Sequence, residues 1–331
     1  MTATHVHDRI VVLSDFNVEP LARLLARRFE GSDSHAELAP FGQAYEILHD
    51  LDHSCWSQAP NAALIWTSAT RVSPSFLRAV RREAFDPAEC EKEVSYYARL
   101  VARIAAQVDT VFVPAFVAWP WWDRCGLLEW HAETGTSHML HRMNQRLVSE
   151  LAAVPGVHVL DARGWIDRGR GFDPRSWYAA KMPFDASVYA HASDELLSAL
   201  RAVRGHARKI VVTDLDGTLW GGVVGDDGWK SLKLGGHDPA GEAFADVQRL
   251  LKSLANRGIL LGVVSKNEEA TALHAIENHP EMLLRKDDFV GWRINWDDKA
   301  QNLVALLDEL NLGPEAAVFL DDNPVERQRI R

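Results

Sequence analysis

Short apolar runs along the chain alternate with longer segments in which apolar residues recur at helical spacing. In the first part of the chain this pattern predicts strands over 10–16, 62–66, 110–117 and 157–160, and helices over 18–29, 90–107, 137–153 and 194–203. Strands that alternate with helices are typical of a parallel sheet covered by helices on both faces. We therefore expect a doubly wound α/β domain over residues 1–205.

A second series of the same kind follows the connector 204–208. It predicts strands over 209–214, 259–265, 289–294 and 316–321, and helices over 241–256, 268–278 and 298–310. We expect these elements to form a second doubly wound α/β domain over residues 206–331. Because the chain ends soon after the last predicted strand, this second domain is expected to be shortened or unusually small.

Composition narrows the class of protein. A hydrophobic fraction of 47% and a charged fraction of 25% are typical of a soluble globular protein, and a net charge of −10 argues against nucleic acid as a partner. Three scattered cysteines indicate neither a disulfide framework nor a zinc site. The N-terminus has no signal-peptide pattern, and no apolar run is long enough to span a membrane. We expect a cytoplasmic protein.

The most informative motif is Asp-Leu-Asp-Gly-Thr at 214–218, directly after the apolar strand 209–214. In open α/β sheets, ligands bind at the carboxyl ends of the strands. A carboxylate at that position can bind Mg²⁺ and can act as a nucleophile toward phosphorus. The motif therefore predicts phosphoryl chemistry, with Asp214 as the nucleophile.

Further polar residues stand where a predicted strand ends or a predicted helix begins: Ser265, Lys266, Asn267, Lys299, Asp321 and Asp322. Phosphoryl transfer depends mainly on positioning and on charge neutralisation. Asp216 could protonate the leaving oxygen and then activate water, with its main-chain carbonyl available to the metal. Ser265 and Lys299 would donate to the phosphoryl oxygens, and a carboxylate after the last strand would complete a Mg²⁺ site.

These residues resemble the four motifs of the haloacid dehalogenase (HAD) superfamily, and more closely those of its FkbH-like family. The resemblance is carried by the runs at 214–228, 265–267, 294–299 and 319–327. It implies a Mg²⁺-dependent enzyme that dephosphorylates 1,3-bisphosphoglycerate and loads the glyceryl group onto the thiol of an acyl carrier protein in polyketide biosynthesis. Two alternatives stay open: a small-molecule phosphatase without acyl transfer, and a non-catalytic carrier-docking protein.

The resemblance also implies roles for individual residues. The catalytic residues would be Asp214 and Asp216. Phosphate would be bound by Ser265, Lys266, Asn267, Lys299 and Thr218. Mg²⁺ would be bound among Asp214, Asp216, Asp321 and Asp322. Asp322 is the preferred metal ligand and Asp321 the preferred partner of Lys299, with Asn323 and Asn267 as further candidates.

The Gly-rich stretch 220–239 is long enough for a small flap but not for a full lid domain, so the site could admit a carrier-borne group. No cysteine lies in the HAD motifs, and Val264 stands beside Ser265, where a thiol could have met an acyl group. The carrier's thiol would then attack directly, or the protein would use a different acyl acceptor.

The N-terminal part is similar to an SGNH-hydrolase-like domain, with Ser14 in the turn after the first strand. Such a hydrolase needs a histidine base held by an aspartate, usually in an Asp-x-x-His arrangement. Asp185 and His191 do not have that spacing. We therefore expect a non-hydrolytic docking or lid role for this domain, and core packing for the aromatic segment 119–122.

Overall fold

The computed structural model describes residues 7–31, 33–120, 122 and 126–331. The chain divides into two compact units, Met1–Leu200 and Arg201–Arg331. Both have an α/β architecture with a parallel sheet. Among the described residues, no helix is both long enough and apolar enough to cross a membrane.

The N-terminal unit contains a five-stranded sheet in the order β2-β1-β3-β4-β5. Every pairing in it is parallel. Its strands are β1 (Arg9–Ser14), β2 (His35–Leu38), β3 (Ala62–Trp66), β4 (Thr110–Pro114) and β5 (Val157–Leu160). Alternate residues of β1 face opposite cores, because successive side chains of a strand point to opposite faces. The predicted strand 110–117 ends earlier, at Pro114.

The helices that begin in this unit are α1 (Glu19–Arg28), α2 (Ala44–His49), α3 (Ser54–Ser57), α4 (Ala69–Val72), α5 (Pro74–Val80), α6 (Pro87–Ala105), α7 (Thr136–Leu151), α8 (Ala162–Arg168), α9 (Pro174–Ala180) and α10 (Ala186–Val203). Helix α6 begins before the predicted 90–107, because Asp86 caps it and Pro87 occupies its first turn. Trp119 is buried in the core, as predicted, whereas Trp130 is exposed. Trp121 and Cys125 lie outside the described residues.

The C-terminal unit contains a four-stranded parallel sheet in the order β8-β7-β6-β9. Its strands are β6 (Ile210–Thr213), β7 (Leu260–Ser265), β8 (Gly291–Ile294) and β9 (Ala317–Leu320). Its helices are α11 (Val224–Asp227), α12 (Pro239–Asn256), α13 (Glu269–Asn278), α14 (Lys299–Glu309) and α15 (Pro324–Ile330). The sheet separates two apolar cores, one containing Val211 and Val263 and the other Val212 and Val264.

Between β6 and α12 lies a short connection, residues 219–238, which we call the flap. It contains only the one-turn helix α11 and a 3-10 turn at Trp229–Ser231. Gly221 and Lys233 exchange main-chain hydrogen bonds and close the flap on itself. The region predicted to form a small flap therefore contains no separate lid domain.

Candidate active site

Strand order brings the predicted site residues to one edge of the C-terminal sheet. Strand β6 lies between β7 and β9, and Asp214 follows β6 directly. Ser265 ends β7, and Asp321 follows β9. Lys299 is the first residue of α14, whose start is fixed by the Asp298 side chain accepting from Gln301 N at 3.1 Å. These side chains therefore meet at the carboxyl ends of the strands.

A buried lysine joins two buried carboxylates at the centre of this edge. The Lys299 ammonium lies 2.7 Å from Asp214 Oδ2 and 2.5 Å from Asp321 Oδ2. Asp321 Oδ1 also accepts from the main-chain N–H of Asn323 at 2.8 Å. Paired charges of this kind are retained in a protein interior only when partners compensate their lost hydration.

The environment shifts the pKa values of both Asp214 and Lys299. Burial raises the pKa of Asp214, although the Lys299 ammonium and the nearby Ser265 hydroxyl oppose the shift. Burial alone would lower the pKa of Lys299, but the two carboxylates outweigh burial and raise it. Lys299 is therefore held as a cation between two acidic groups.

A metal ion fits the acidic residues of this edge. Asp214, Asp321 and Asp322 each offer a carboxylate oxygen, and these oxygens lie within 4.8 Å of one another. Asp214 Oδ1 is buried and has no hydrogen-bond partner among the described residues. A buried carboxylate oxygen without a donor is costly unless a cation binds it. Oxygen ligands suit a hard divalent cation.

The two adjacent aspartates have different surroundings, and the preference for Asp322 as the metal ligand stays a prediction. Asp321 contacts Lys299, and Asp322 is exposed at the mouth of the site. All three carboxylates remain within reach of one cation. The Asp216 side chain is absent from this group of described acidic residues, and a contribution from its main-chain carbonyl stays a prediction. Asn323 caps α15, with its side-chain oxygen accepting from Val325 N at 2.9 Å.

Gly217 allows the loop after β6 to approach Asp322 closely. Its φ is +69°, and a Cβ atom at this position would lie 2.5 Å from Asp322 Oδ2. The Thr218 hydroxyl accepts from the main-chain N–H of Asp322 at 3.1 Å. Thr218 was expected to bind phosphate; here its oxygen joins the loop after β6 to the loop after β9, and its phosphate contact stays a prediction.

Asp216 is held by donors from the flap and from the β7 loop. Its Oδ1 accepts from Trp220 Nε1 at 2.7 Å and from Val224 N at 3.1 Å. Its Oδ2 accepts from Asn267 Nδ2 at 3.0 Å. The same Asn267 nitrogen lies 3.1 Å from Ser265 Oγ, so Asn267 connects the predicted acid/base group to a predicted phosphate ligand.

Lys266, which the sequence predicts to bind phosphate, contacts a carboxylate of α15. Its ammonium lies 2.7 Å from Glu326 Oε1, on α15, and its side chain is 37% exposed. It lines the same cavity as Asp214 and Lys299, but its ammonium group donates to Glu326 rather than to that buried pair. Its role in binding phosphate stays a prediction.

The site opens into a cavity of about 620 Å³. Its lining includes Asp214, Asp216, Lys299 and Asp322, together with Gly222 and Val223 of the flap. Val264 does not face this space: it is fully buried in the opposite core with Ile210 and Val212. A thiol at position 264 would therefore lie in the core rather than beside a substrate.

Three residues at the site had no role assigned from sequence: Trp220, Glu326 and Arg327. Arg327 donates to the main-chain carbonyls of Asp321 and Asp322 and so ties α15 to the loop that carries them. All three lie within the runs that carry the family resemblance. Their contacts depend on the flap and on α15, which the local pattern alone does not define.

The N-terminal unit does not assemble a hydrolase triad among the described residues. Ser14 is buried, and its hydroxyl oxygen accepts from Phe16 N at 3.2 Å. Asp185 accepts from Ser187, and no contact between Ser14 and a histidine is seen in the described part of the chain. Cys55 and Cys90 are buried, and burial raises the pKa of each thiol to about 11. Both are therefore poor nucleophiles.

Comparison with solved structures places the whole chain beside a phosphatase-domain protein. The chain is similar to the N-terminal part of BF1531 from Bacteroides fragilis, which contains a phosphatase domain and was crystallised with Mg. The TM-score is 0.85 and the identity 25%, over 98% of this chain and 86% of that one. The acidic group of this chain and the Mg-complexed neighbour together confirm the prediction of a Mg²⁺ cofactor.

Other solved structures match the chain only weakly. A GDSL-like lipase from Bacteroides thetaiotaomicron has a TM-score of 0.38 and 13% identity, over 59% of this chain and 89% of that one. LAE5, an α/β hydrolase from the metagenome of Lake Arreo, has a TM-score of 0.38 and 15% identity, over 60% of this chain and 95% of that one. No family model and no curated protein matches the chain. The SGNH-like and FkbH-like assignments stay predictions.

Proposed function

We propose that this protein is a Mg²⁺-dependent phosphatase of the HAD type, with its active site in the C-terminal unit. The observation that carries the proposal is the buried Asp214–Lys299–Asp321 group, in which one Asp214 oxygen has no donor among the described residues. The likeness over nearly the whole chain to a Mg-complexed, phosphatase-containing structure supports the same function.

The residues of the chain suit a two-step phosphoryl transfer. An Asp214 carboxylate oxygen bonds to phosphorus while the bond from phosphorus to the leaving oxygen breaks. Water then attacks the same phosphorus and releases phosphate and the free carboxylate. Lys299 holds Asp214 in place and offsets the negative charge that gathers there. Mg²⁺, bound among Asp214, Asp321 and Asp322, would supply further neutralisation of the phosphoryl oxygens.

Asp216 is the group that moves the proton in this proposal. It lines the cavity beside Asp214. In the first step it gives a proton to the leaving oxygen, and in the second it takes a proton from the attacking water. Ser265, which is buried near Asp214, would donate to a phosphoryl oxygen.

We further propose that the substrate is 1,3-bisphosphoglycerate and that the glyceryl group passes to an acyl carrier protein. Asp214 would remove the phosphoryl group from the C3 oxygen. At C1 a thiolate would attack the carbonyl carbon, a carbon–sulfur bond would form, and the C1 phosphate would leave. The two described cysteines are buried in the N-terminal unit with raised pKa values, which favours direct attack by the carrier's thiol. The open cavity with only a short flap would leave room for a carrier-borne group.

Intact-mass measurement tests both levels of this proposal. The protein is incubated with Mg²⁺, 1,3-bisphosphoglycerate and a panel of acyl carrier proteins, with Asp214→Asn as the control. A glyceryl adduct on the carrier's thiol, formed by the wild type and not by the variant, supports the transferase. Phosphate release without any carrier adduct would support the simpler phosphatase. If neither product forms, catalysis is contradicted, and the carrier-docking protein is the alternative that remains.

A further inference from the structure

The side chain of Asp216 is surrounded by hydrogen-bond donors. Trp220 Nε1 and the main-chain N–H of Val224, both in the flap, donate to Oδ1. Asn267 Nδ2 donates to Oδ2. None of these donors carries a charge, and each comes from a residue that is buried in the structure. The orientation of Asp216 is therefore set from two sides, by the flap and by the loop after β7.

The donors leave one acceptor position on the carboxyl group. A carboxylate offers about four lone-pair positions, two on each oxygen. Trp220 and Val224 occupy those of Oδ1, and Asn267 occupies one on Oδ2. The remaining position is on Oδ2, and Asp216 lines the cavity that contains Asp214. A proton carried by this group would therefore reside on Oδ2.

We propose that Trp220 is a positioning residue for phosphoryl transfer, because its indole N–H fixes which oxygen of Asp216 carries the proton and where that oxygen points. This inference rests on the proposed phosphatase function. In the step concerned, an Asp214 oxygen bonds to phosphorus, the bond from phosphorus to the leaving oxygen breaks, and the proton on Asp216 Oδ2 passes to that oxygen. Trp220 itself is not among the residues that line the cavity.

The indole is held firmly enough for this role. Trp220 is 1% exposed and packs in the core with Leu219 and Val224. Its main-chain carbonyl accepts from Gly217 N at 2.9 Å, which closes the turn that carries Asp216. A side chain fixed at both its backbone and its ring can orient a neighbour without losing further conformational freedom. The flap thereby positions the proton donor as well as bordering the cavity.

The test replaces Trp220 by phenylalanine, which keeps a large ring and removes only the N–H donor. The matched control is Trp229→Phe, a second tryptophan of the flap, which packs against His274 and His279. For each protein kcat/KM is measured with 4-nitrophenyl phosphate and with an alkyl phosphate. This parameter covers the steps through release of the leaving group, and the alkoxide leaving group depends far more on protonation.

If Trp220 positions Asp216, Trp220→Phe lowers kcat/KM for the alkyl phosphate roughly tenfold or more while changing that for 4-nitrophenyl phosphate little. Trp229→Phe should change the two substrates equally. An equal loss for both substrates in Trp220→Phe, or no loss, would overturn the proposal and leave Trp220 a purely structural residue. If that variant does not fold, benzothienylalanine at position 220 keeps the two-ring shape without the N–H and gives the same readout.

The same measurements give a different result if the proposed phosphatase function itself is wrong. If the site is not a phosphatase, the wild type releases phosphate from neither substrate, or Asp214→Asn releases it as fast as the wild type. If the phosphatase is correct and only the role of Trp220 is wrong, the wild type is active, Asp214→Asn is inactive, and the Trp220 variant shows no dependence on the leaving group.

Discussion

The two units carry acidic residues at equivalent places in their sheets, and the residues are satisfied in different ways. In the N-terminal unit, Asp15 follows the first strand and accepts from both the main-chain N–H and the hydroxyl of Ser68. In the C-terminal unit, Asp214 follows β6 and accepts from Lys299 on one oxygen, while its other oxygen has no donor in the described structure. Burial raises the pKa of both carboxyl groups.

This difference distinguishes Asp15, a structural residue, from Asp214, to which we assign a catalytic role. Asp15 and Ser68 satisfy each other and join the loops after two neighbouring strands, which needs no external ligand. Asp214, Asp321 and Asp322 bring three carboxylate oxygens within 4.8 Å of one another. A single buried ammonium group contacts two of these carboxylates, so the charge of the group remains incompletely balanced. An arrangement of that kind is stabilised by a bound cation. The unbalanced edge is the one to which we assign chemistry.

The largest effect is expected from removing the proposed nucleophile, Asp214. Asp214→Asn should lower phosphatase activity on the order of 10⁴-fold, because an amide oxygen is a poor nucleophile toward phosphorus. The matched change Asp15→Asn, at the corresponding edge of the N-terminal unit, should leave the rate unchanged. Steady-state phosphate release under saturating Mg²⁺ measures both. Equal losses of phosphatase activity in the two variants would contradict the distinction between the two units.

Removing the buried ammonium group of Lys299 should lower the stability of the protein. Lys299→Met leaves Asp214 facing Asp321 without a counter-ion, so we expect a loss of about 3 kcal/mol in the free energy of unfolding without metal. Urea denaturation in EDTA measures this loss, and adding Mg²⁺ should restore part of it. Lys266→Met breaks a more exposed pair with Glu326 and should cost clearly less. A larger loss for position 266 would contradict the central role of Lys299.

Metal binding should depend on Asp322. Mg²⁺ at about 100 times its Kd should stabilise the wild type by about 2.7 kcal/mol, since a ligand that binds only the folded state shifts the unfolding equilibrium. Thermal melts across a Mg²⁺ titration measure the shift. Asp322→Ala should remove most of it. An undiminished shift in that variant would place the metal elsewhere.

The smallest effect concerns the backbone that brings the loops together. Gly217→Ala places a Cβ atom against Asp322 at a positive φ, so it should destabilise the protein by about 1 kcal/mol and weaken Mg²⁺ binding. Gly225→Ala, where an added Cβ meets nothing within 4 Å, is the matched control. Identical Mg²⁺ affinities in the two variants would show that the contact between Gly217 and Asp322 does not shape the site.

The sequence predicts the central elements of both sheets, because buried strands and amphipathic helices leave clear periodic patterns. It does not predict β2, a short strand at the sheet edge without a buried run, or α15, which follows β9 at the end of the chain. Both elements are short, and they depend on tertiary contacts rather than on a periodic pattern in the sequence.

The same limit applies to the site. The charged residues at strand ends are visible in the sequence, because their position follows from the strands themselves. The partners of Thr218 and Lys266 are not, since they depend on how the β9 loop and α15 pack against the first loop. Likewise, the contact of Trp220 with Asp216 depends on the fold of the flap. The spacing along the sequence therefore predicts which residues gather at the carboxyl ends of the strands, whereas tertiary packing determines their side-chain partners.

Trapping the phosphorylated enzyme would show whether Asp214 is the nucleophile. The protein is mixed with Mg²⁺ and a phosphorylated substrate, quenched in acid within the first turnover, and digested for peptide mass analysis. If Asp214 is the nucleophile, one phosphoryl group is found on the peptide that contains Asp214, and none in Asp214→Asn. Turnover with the phosphoryl group on another residue, or sustained turnover by the Asp214 variant, would contradict this assignment.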